Sequence, residues 1–268
     1  MPRDLGDVLH YFLPTSDRGA GRAEEAVEIG QRSEPLQRPA ALPIVSLPID
    51  ERDVVRSAFA WNLTVEIARL GASACLVAPV AKRSSVIWPD EGCGPVGAEA
   101  VFPHVDGLGA LSRAALDVAV ARAADSSDGG IVVTCVPPSW LRAPHEGRAL
   151  LRWTLLFATT EARDLLETYA LAKQLLLSSE VMRVGITIHG ARRVSEAANA
   201  FSHVAGVSAK HLGRTPVSYG LLVDDLHVYR AIVARRPIGL EHPQSRAARA
   251  LRDVARLVLE DARRIARV

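Results

Sequence analysis

The chain has 268 residues, with 32 Lys and Arg against 30 Asp and Glu, 49% hydrophobic residues and only 5% aromatics. That length and apolar content suit one large α/β domain with a sizeable buried core, and two small domains less well. No apolar run approaches the ~18 residues of a membrane span, and the N-terminus lacks the basic head and apolar stretch of an export signal. The three cysteines, Cys75, Cys93 and Cys135, are odd in number and lack metal-ligand spacing, so the expected compartment is the cytoplasm.

The chain divides into a short N-terminal helix over 1–14, a linker over 15–41 and an α/β domain over 42–268. In the first segment Leu5, Val8, Leu9, Phe12 and Leu13 fall at i, i+3, i+4, i+7 and i+8, one apolar stripe, with Asp4 as cap and Pro14 as stop. Isolated helices shorter than roughly 12–15 residues are marginal, so this one must order against a protein partner or against its own domain. Residues 15–41 are rich in Gly, Ser, Pro and mixed charge, as linkers are.

From residue 42 onward apolar runs alternate with helical periodicity. Strands are expected at Ile44–Leu47, Ala74–Ala78, Ile131–Cys135, Trp153–Ala158, Val184–Ile188 and Val217–Leu222. Helices are expected at Val54–Leu70, Leu108–Ala124, Glu161–Ser178, Ser195–Val204, Leu226–Arg235 and Ser245–Ala266. The pattern predicts a doubly wound, mainly parallel sheet with helices on both faces, in which Cys75 and Cys135 act as small buried hydrophobes. Lys82–Asp106 reads as a long irregular loop.

The segment Leu42–Pro79 runs strand, turn, helix with Asn62-Leu63, Gly71, strand. Thr160–Leu171 contains a Glu-to-Tyr spacing and the triplet Tyr169-Ala170-Leu171. Tyr219–Asp225 is followed by Val228, Ala231, Arg236-Pro237 and His242-Pro243-Gln244-Ser245. Together these stretches resemble the MinD/ParA-type ATPases, and among them the FlhG-like (YlxH-like) proteins that position flagella and related polar machines. The resemblance spans residue 42 to the C-terminus and implies the same α/β fold.

It also shows what is missing. By the resemblance, the phosphate loop falls on Asp50–Ser57, where no glycine stands. Such a loop presents consecutive backbone N–H groups to phosphate oxygens, which requires glycine in tight or left-handed conformations. Here Asp50, Glu51 and Asp53 set carboxylates where phosphates would sit, and opposed-sign attraction becomes repulsion of roughly 4 kcal/mol per close pair at an effective dielectric of 20. Arg56 stands in the lysine position, Ser57 in the Mg²⁺-binding position, and Glu51 where the family's first lysine would reach across a dimer. Gly130–Trp140 lacks the family's γ-phosphate-sensing Asp and Gly, Val77–Val80 lacks the Asp that positions the attacking water, and His189 replaces the adenine-contacting Asn.

The C-terminal part is basic. From Arg192 onward, thirteen Arg and one Lys face seven acids, a net of +7. In the last helix Leu251, Val254, Val258, Ala262 and Ile265 form an apolar stripe flanked by Arg249, Arg252, Arg256, Arg263 and Arg264. That pattern suits a helix packed on the core with a solvated basic face, or a surface for DNA phosphates or an anionic membrane. The eight histidines are scattered without metal-site spacing, and Ser139 lacks the setting of a nucleophile.

The expected function is that of a catalytically inactive MinD/FlhG-like pseudo-ATPase. It would have no cofactor and no metal, and would act as a cytoplasmic scaffold or regulator, peripheral to the inner membrane or a cell pole. Its partners would be proteins bound through Leu5, Val8, Leu9, Phe12 and Leu13, and a homo- or heterodimer with a MinD/FlhG-like chain. Two other readings stand beside it: a divergent nucleotide switch using Arg56 and Ser57, and an adaptor to DNA or membrane through Arg249, Arg252, Arg256 and Arg263.

Overall fold

The computed structural model describes residues 41–50, 52–80, 89, 91–125, 129–142 and 147–266. The expected N-terminal helix and its linker lie outside these residues. The strands are β1 (Ile44–Pro48), β2 (Ser73–Val77), β3 (Gly92–Cys93), β4 (Glu99–Val101), β5 (Gly130–Val136), β6 (Trp153–Ala158), β7 (Arg183–Ala191) and β8 (Val217–Val223). The helices are α1 (Val54–Arg69), α2 (Leu108–Asp125), α3 (Ala162–Ser178), α4 (Val194–Leu212), α5 (Leu226–Ala234), α6 (Ile238–Glu241) and α7 (Arg246–Ile265).

The eight strands form one sheet in the order β3-β4-β2-β5-β1-β6-β7-β8. Every pairing is parallel except β3 with β4. Parallel strands need crossover helices, which cover both faces, so the central strands read as continuous apolar runs. GIVVTCV of β5 and WTLLFA of β6 are buried at every position. Helices α1, α6 and α7 pack together on one side, and α3 packs with α4 on the other. This is the doubly wound α/β arrangement that the alternating pattern predicts.

Three local features differ from the expectation. Within 82–106, the described part is not wholly irregular: Gly92 and Gly97 take φ of 110° and 79°, letting the chain turn back so that Cys93 pairs with Glu99. Helix α4 continues past Val204 to Leu212, because Gly206 is accommodated inside it and the stop is Gly213 in the left-handed region at φ 63°. Strand β7 does not end at Ile188 but runs through His189 to Ala191, with register shifts against β8 on either side. Gly220, inside β8, has φ 87°.

Cys75 and Cys135 are buried, and burial pushes the Cys75 thiol up to about 12 and the Cys135 thiol further, so both are inert apolar filling. Helix α7 has eleven buried residues and is a core element with a charged outer edge. It is tied to α1 by buried Glu66, whose Oε2 accepts from Arg252 Nε (3.3 Å) and whose Oε1 accepts from Arg69 Nη1. Arg69 also donates to the Gly239 carbonyl at 2.9 Å. A Cβ at Gly239 would fall 1.6 Å from Glu66 Oε1 and 2.6 Å from Arg69 Nη1, so a larger residue there would displace this ion pair.

Asn62 makes the second tie. Its amide donates to Ala58 O (2.7 Å), and its Oδ1 accepts from Ile238 N at the start of α6 (2.6 Å). Leucine at this position would strand the buried Ile238 N–H. Asn62→Leu is therefore expected to cost about 1–3 kcal/mol in urea unfolding of the full chain; an unchanged midpoint would show that the bond contributes nothing.

Candidate functional site at the C-terminal ends of the central strands

Strand β1 ends at Pro48 and helix α1 starts at Val54, so the connection is short. It folds on its own polar groups: Asp53 N donates to Asp50 O, and Arg52 N donates to Asp50 Oδ1, both at 2.9 Å. Asp53 then caps α1, its Oδ1 accepting from Arg56 N at 2.9 Å. No described residue from 49 to 57 has a positive φ. The helix N-terminus, where backbone N–H groups and the dipole favour an anion, already holds the protein's own carboxylate.

Arg56 projects from the first turn of α1 toward the strands that follow. Its Nη2 donates to Asp164 Oδ1 at 2.6 Å, its Nε donates to His189 Nε2 at 3.2 Å, and Asp53 Oδ2 lies 3.4 Å from Nε. Asp164 sits in the first turn of α3, just after β6, and His189 lies on β7. Because β1, β6 and β7 are adjacent in the sheet, residues far apart in sequence meet at one rim. Asp164 Oδ2 also accepts from Thr159 N. Burial alone would raise the Asp164 carboxyl, but the Arg56 and Thr159 hydrogen bonds hold it below its ordinary value.

His189 is buried and stacked edge-on against Phe59 (centroids 5.5 Å apart) and Phe157 (6.5 Å). Burial, with the Arg56 charge second, pushes its pKa down to about 4. A neutral imidazole is what the geometry needs, since Nε2 accepts from Arg56. Ser57 is buried as well, and its Oγ has no hydrogen-bond partner among the described residues.

No family model and no curated protein sequence matches the chain. Solved structures match it in shape. A chain of the MinC:MinD cell division protein complex of Aquifex aeolicus superposes with a TM-score of 0.59 at 12% identity, covering 81% of this chain and 96% of that one. A ParA family ATPase from Chlorobium tepidum TLS gives 0.56 at 13% identity, covering 81% and 98%. The septum site-determining protein MinD of Pyrococcus horikoshii, complexed with Mg-ADP, gives 0.55 at 12% identity, covering 81% and 95%. The chain has the MinD/ParA fold.

A MinD/ParA fold implies a magnesium nucleotide beside the end of β1. The residues present do not fit one. The α1 N-terminus is capped by Asp53, the cation in the lysine position is held by Asp164, His189 and Asp53, and no described residue of the connection is left-handed. Ser57, in the expected Mg²⁺-binding position, has a buried hydroxyl without a partner among the described residues.

Of the sequence-derived candidates, Arg56 and His189 come together and Ser57 lies beside them on α1; Glu51 and Leu5, Val8, Leu9, Phe12 and Leu13 lie outside the described residues. Asp164 was not among the candidates. The resemblance placed it in the helix start after the fourth expected strand, and an acid there faces the loop once β6 is known to adjoin β1. On α7, Arg249, Arg256 and Arg263 are exposed at intervals of two turns. Arg252 instead turns inward to Glu66, and Arg256 pairs with Asp253. Among the described residues no helix is long and apolar enough to cross a membrane, and no cluster of His, Cys, Asp and Glu could hold a metal.

The lowered His189 pKa makes a pH prediction. The unfolded imidazole takes its proton near 6.5, the folded one only near 4, so stability is full above 6.5 and falls as pH drops through this window. Between pH 7 and 4.5 this group should remove about 2.5 kcal/mol of unfolding free energy. In urea titrations His189→Phe should lack that decline; parallel profiles for the two proteins would refute the assignment.

Proposed function

We propose that the chain is a catalytically silent pseudo-ATPase, FlhG-like within the MinD/ParA fold. It acts in the cytoplasm as a scaffold or regulator that binds protein partners of a polar or envelope-associated machine. The observation that carries this reading is the engagement of Arg56. A lysine-position cation that neutralises phosphates must be available to them, whereas Arg56 is held by a carboxylate at 2.6 Å and an imidazole at 3.2 Å within its own chain. Admitting a polyphosphate would require breaking a half-buried ion pair and moving Asp53 off the helix end, where its carboxylate would otherwise repel the ligand. A protein freed from turnover keeps the fold as a surface, and the N-terminal stripe Leu5, Val8, Leu9, Phe12 and Leu13 supplies the partner-docking element.

One observation favours a second reading, a divergent nucleotide switch: the buried Ser57 hydroxyl without a partner among the described residues, at the position of a Mg²⁺ ligand. Calorimetry of the full-length chain with ATP or ADP and Mg²⁺ separates the two. Absence of binding at millimolar nucleotide is the expected result. Micromolar binding that an Arg56→Ala, Ser57→Ala double variant loses would replace the pseudo-ATPase with the switch.

The docking element has its own test. In pull-downs with the full-length chain, Leu9→Asp with Phe12→Asp should abolish partner capture while leaving thermal stability unchanged. Retained capture would remove the N-terminal helix from the proposal, and a large drop in melting temperature would mean that it packs on its own domain.

A further inference from the structure

The opposite end of the sheet holds a cavity unrelated to the Arg56 cluster. Where β6, β7 and β8 begin, a pocket of about 440 Å³ opens between the strand starts and the last turns of α7. Its floor is a chain of polar aromatics: Trp153 Nε1 donates to the Tyr219 hydroxyl at 3.1 Å, and that hydroxyl donates to Asp261 Oδ2 at 2.7 Å. Tyr219 lies flat across β7 because residue 185 is glycine; a Cβ there would come within 2.2 Å of its ring. The walls are aliphatic, with Leu176, Met182 and Val184 buried around the floor.

The mouth is cationic. Arg183, the first residue of β7, is exposed and pairs with no carboxylate among the described residues. Arg264 also lines the cavity, its side chain 65% exposed, 3.1 Å from Asp261 Oδ1. Arg214 donates to the carbonyls of Leu176 (2.6 Å), Ser179 (2.9 Å) and Glu180 (3.0 Å), so its charge stands behind the wall while its donors are engaged. Among the described residues, three guanidinium groups therefore line the cavity with one carboxylate, Asp261, which accepts from Tyr219 and Arg264. Ligand pockets of roughly 300–1,000 Å³ combine such apolar walls with a few convergent polar groups.

We propose that this cavity binds a small amphipathic anion, an unbranched or aryl aliphatic tail ending in a carboxylate. The tail lies against Trp153, Tyr219 and the aliphatic wall, and the carboxylate is held at the rim by Arg183, with Arg264 beside it. Guanidinium is suited to a carboxylate because its N–H groups match the two oxygens. The site stands independently of whether the chain binds nucleotide, since it lies at the other end of the strands.

The test is calorimetry of the full-length chain with sodium octanoate, and with 1-octanol as the neutral match. One octanoate should bind per chain, at least about tenfold more tightly than octanol, the effect of a charge-assisted hydrogen bond. Arg183→Glu should weaken octanoate by about tenfold or more. Thr215→Trp, which fills the mouth from an exposed position, should abolish binding, whereas the remote exposed Arg163→Glu should leave it unchanged. Equal affinities for octanoate and octanol, the same octanoate affinity in the first two variants as in the parent, or no octanoate binding at all would each overturn the proposal.

Discussion

The contact between Arg56 and Asp164 joins parts of this molecule that lie 108 positions apart in the sequence. Arg56 belongs to the first helix, Asp164 to a helix on the other side of the sheet, and His189 to a strand two places from β1. In doubly wound sheets, ligands enter the crevice at the carboxyl ends of the strands where the crossover direction reverses. That reversal occurs around β1, and the crevice there is bridged from within. Half-buried charged hydrogen bonds of this kind are expensive to break singly, because each partner would be left desolvated. Burial is the main reason the imidazole stays neutral, and the Arg56 cation on the acceptor side of the ring adds to it.

Below that rim the same helix is anchored by groups of a different kind. Glu66 and Asn62 lie one turn apart on α1, and both reach into the C-terminal part of the chain, one to Arg252 and the other to the start of α6. The first helix is thus held at its N-terminus by Asp164 and along its length by α6 and α7. These ties act together with the eleven buried residues of α1 to fix its position.

Most of the architecture was legible from residue patterns. Strands of small and β-branched residues buried on both faces, and helices with caps such as Asp53, Asp225 and Ser245, have local signatures. The lack of glycine between Asp50 and Ser57 is read directly from the sequence. What escaped was non-local or low in contrast. The hairpin of β3 and β4 has two and three residues, too few for a period to appear. Helix α6 has a single turn. Arg56 and Asp164 are 108 positions apart, so their pairing follows only from the strand order. Arg252 looked like one of a row of surface cations until the fold placed a buried carboxylate against it.

The two edges of the sheet constrain how this molecule can meet others. On one side the outermost strand is Gly92-Cys93, only two residues long. On the other, β8 pairs with β7 out of step in two places and carries Gly220 at φ 87° within it. Neither offers the straight row of open N–H and C=O groups onto which a foreign strand could be laid. Association by β-augmentation is therefore disfavoured among the described residues, and recognition falls to helical flanks and connecting turns, where side chains rather than backbone decide what fits.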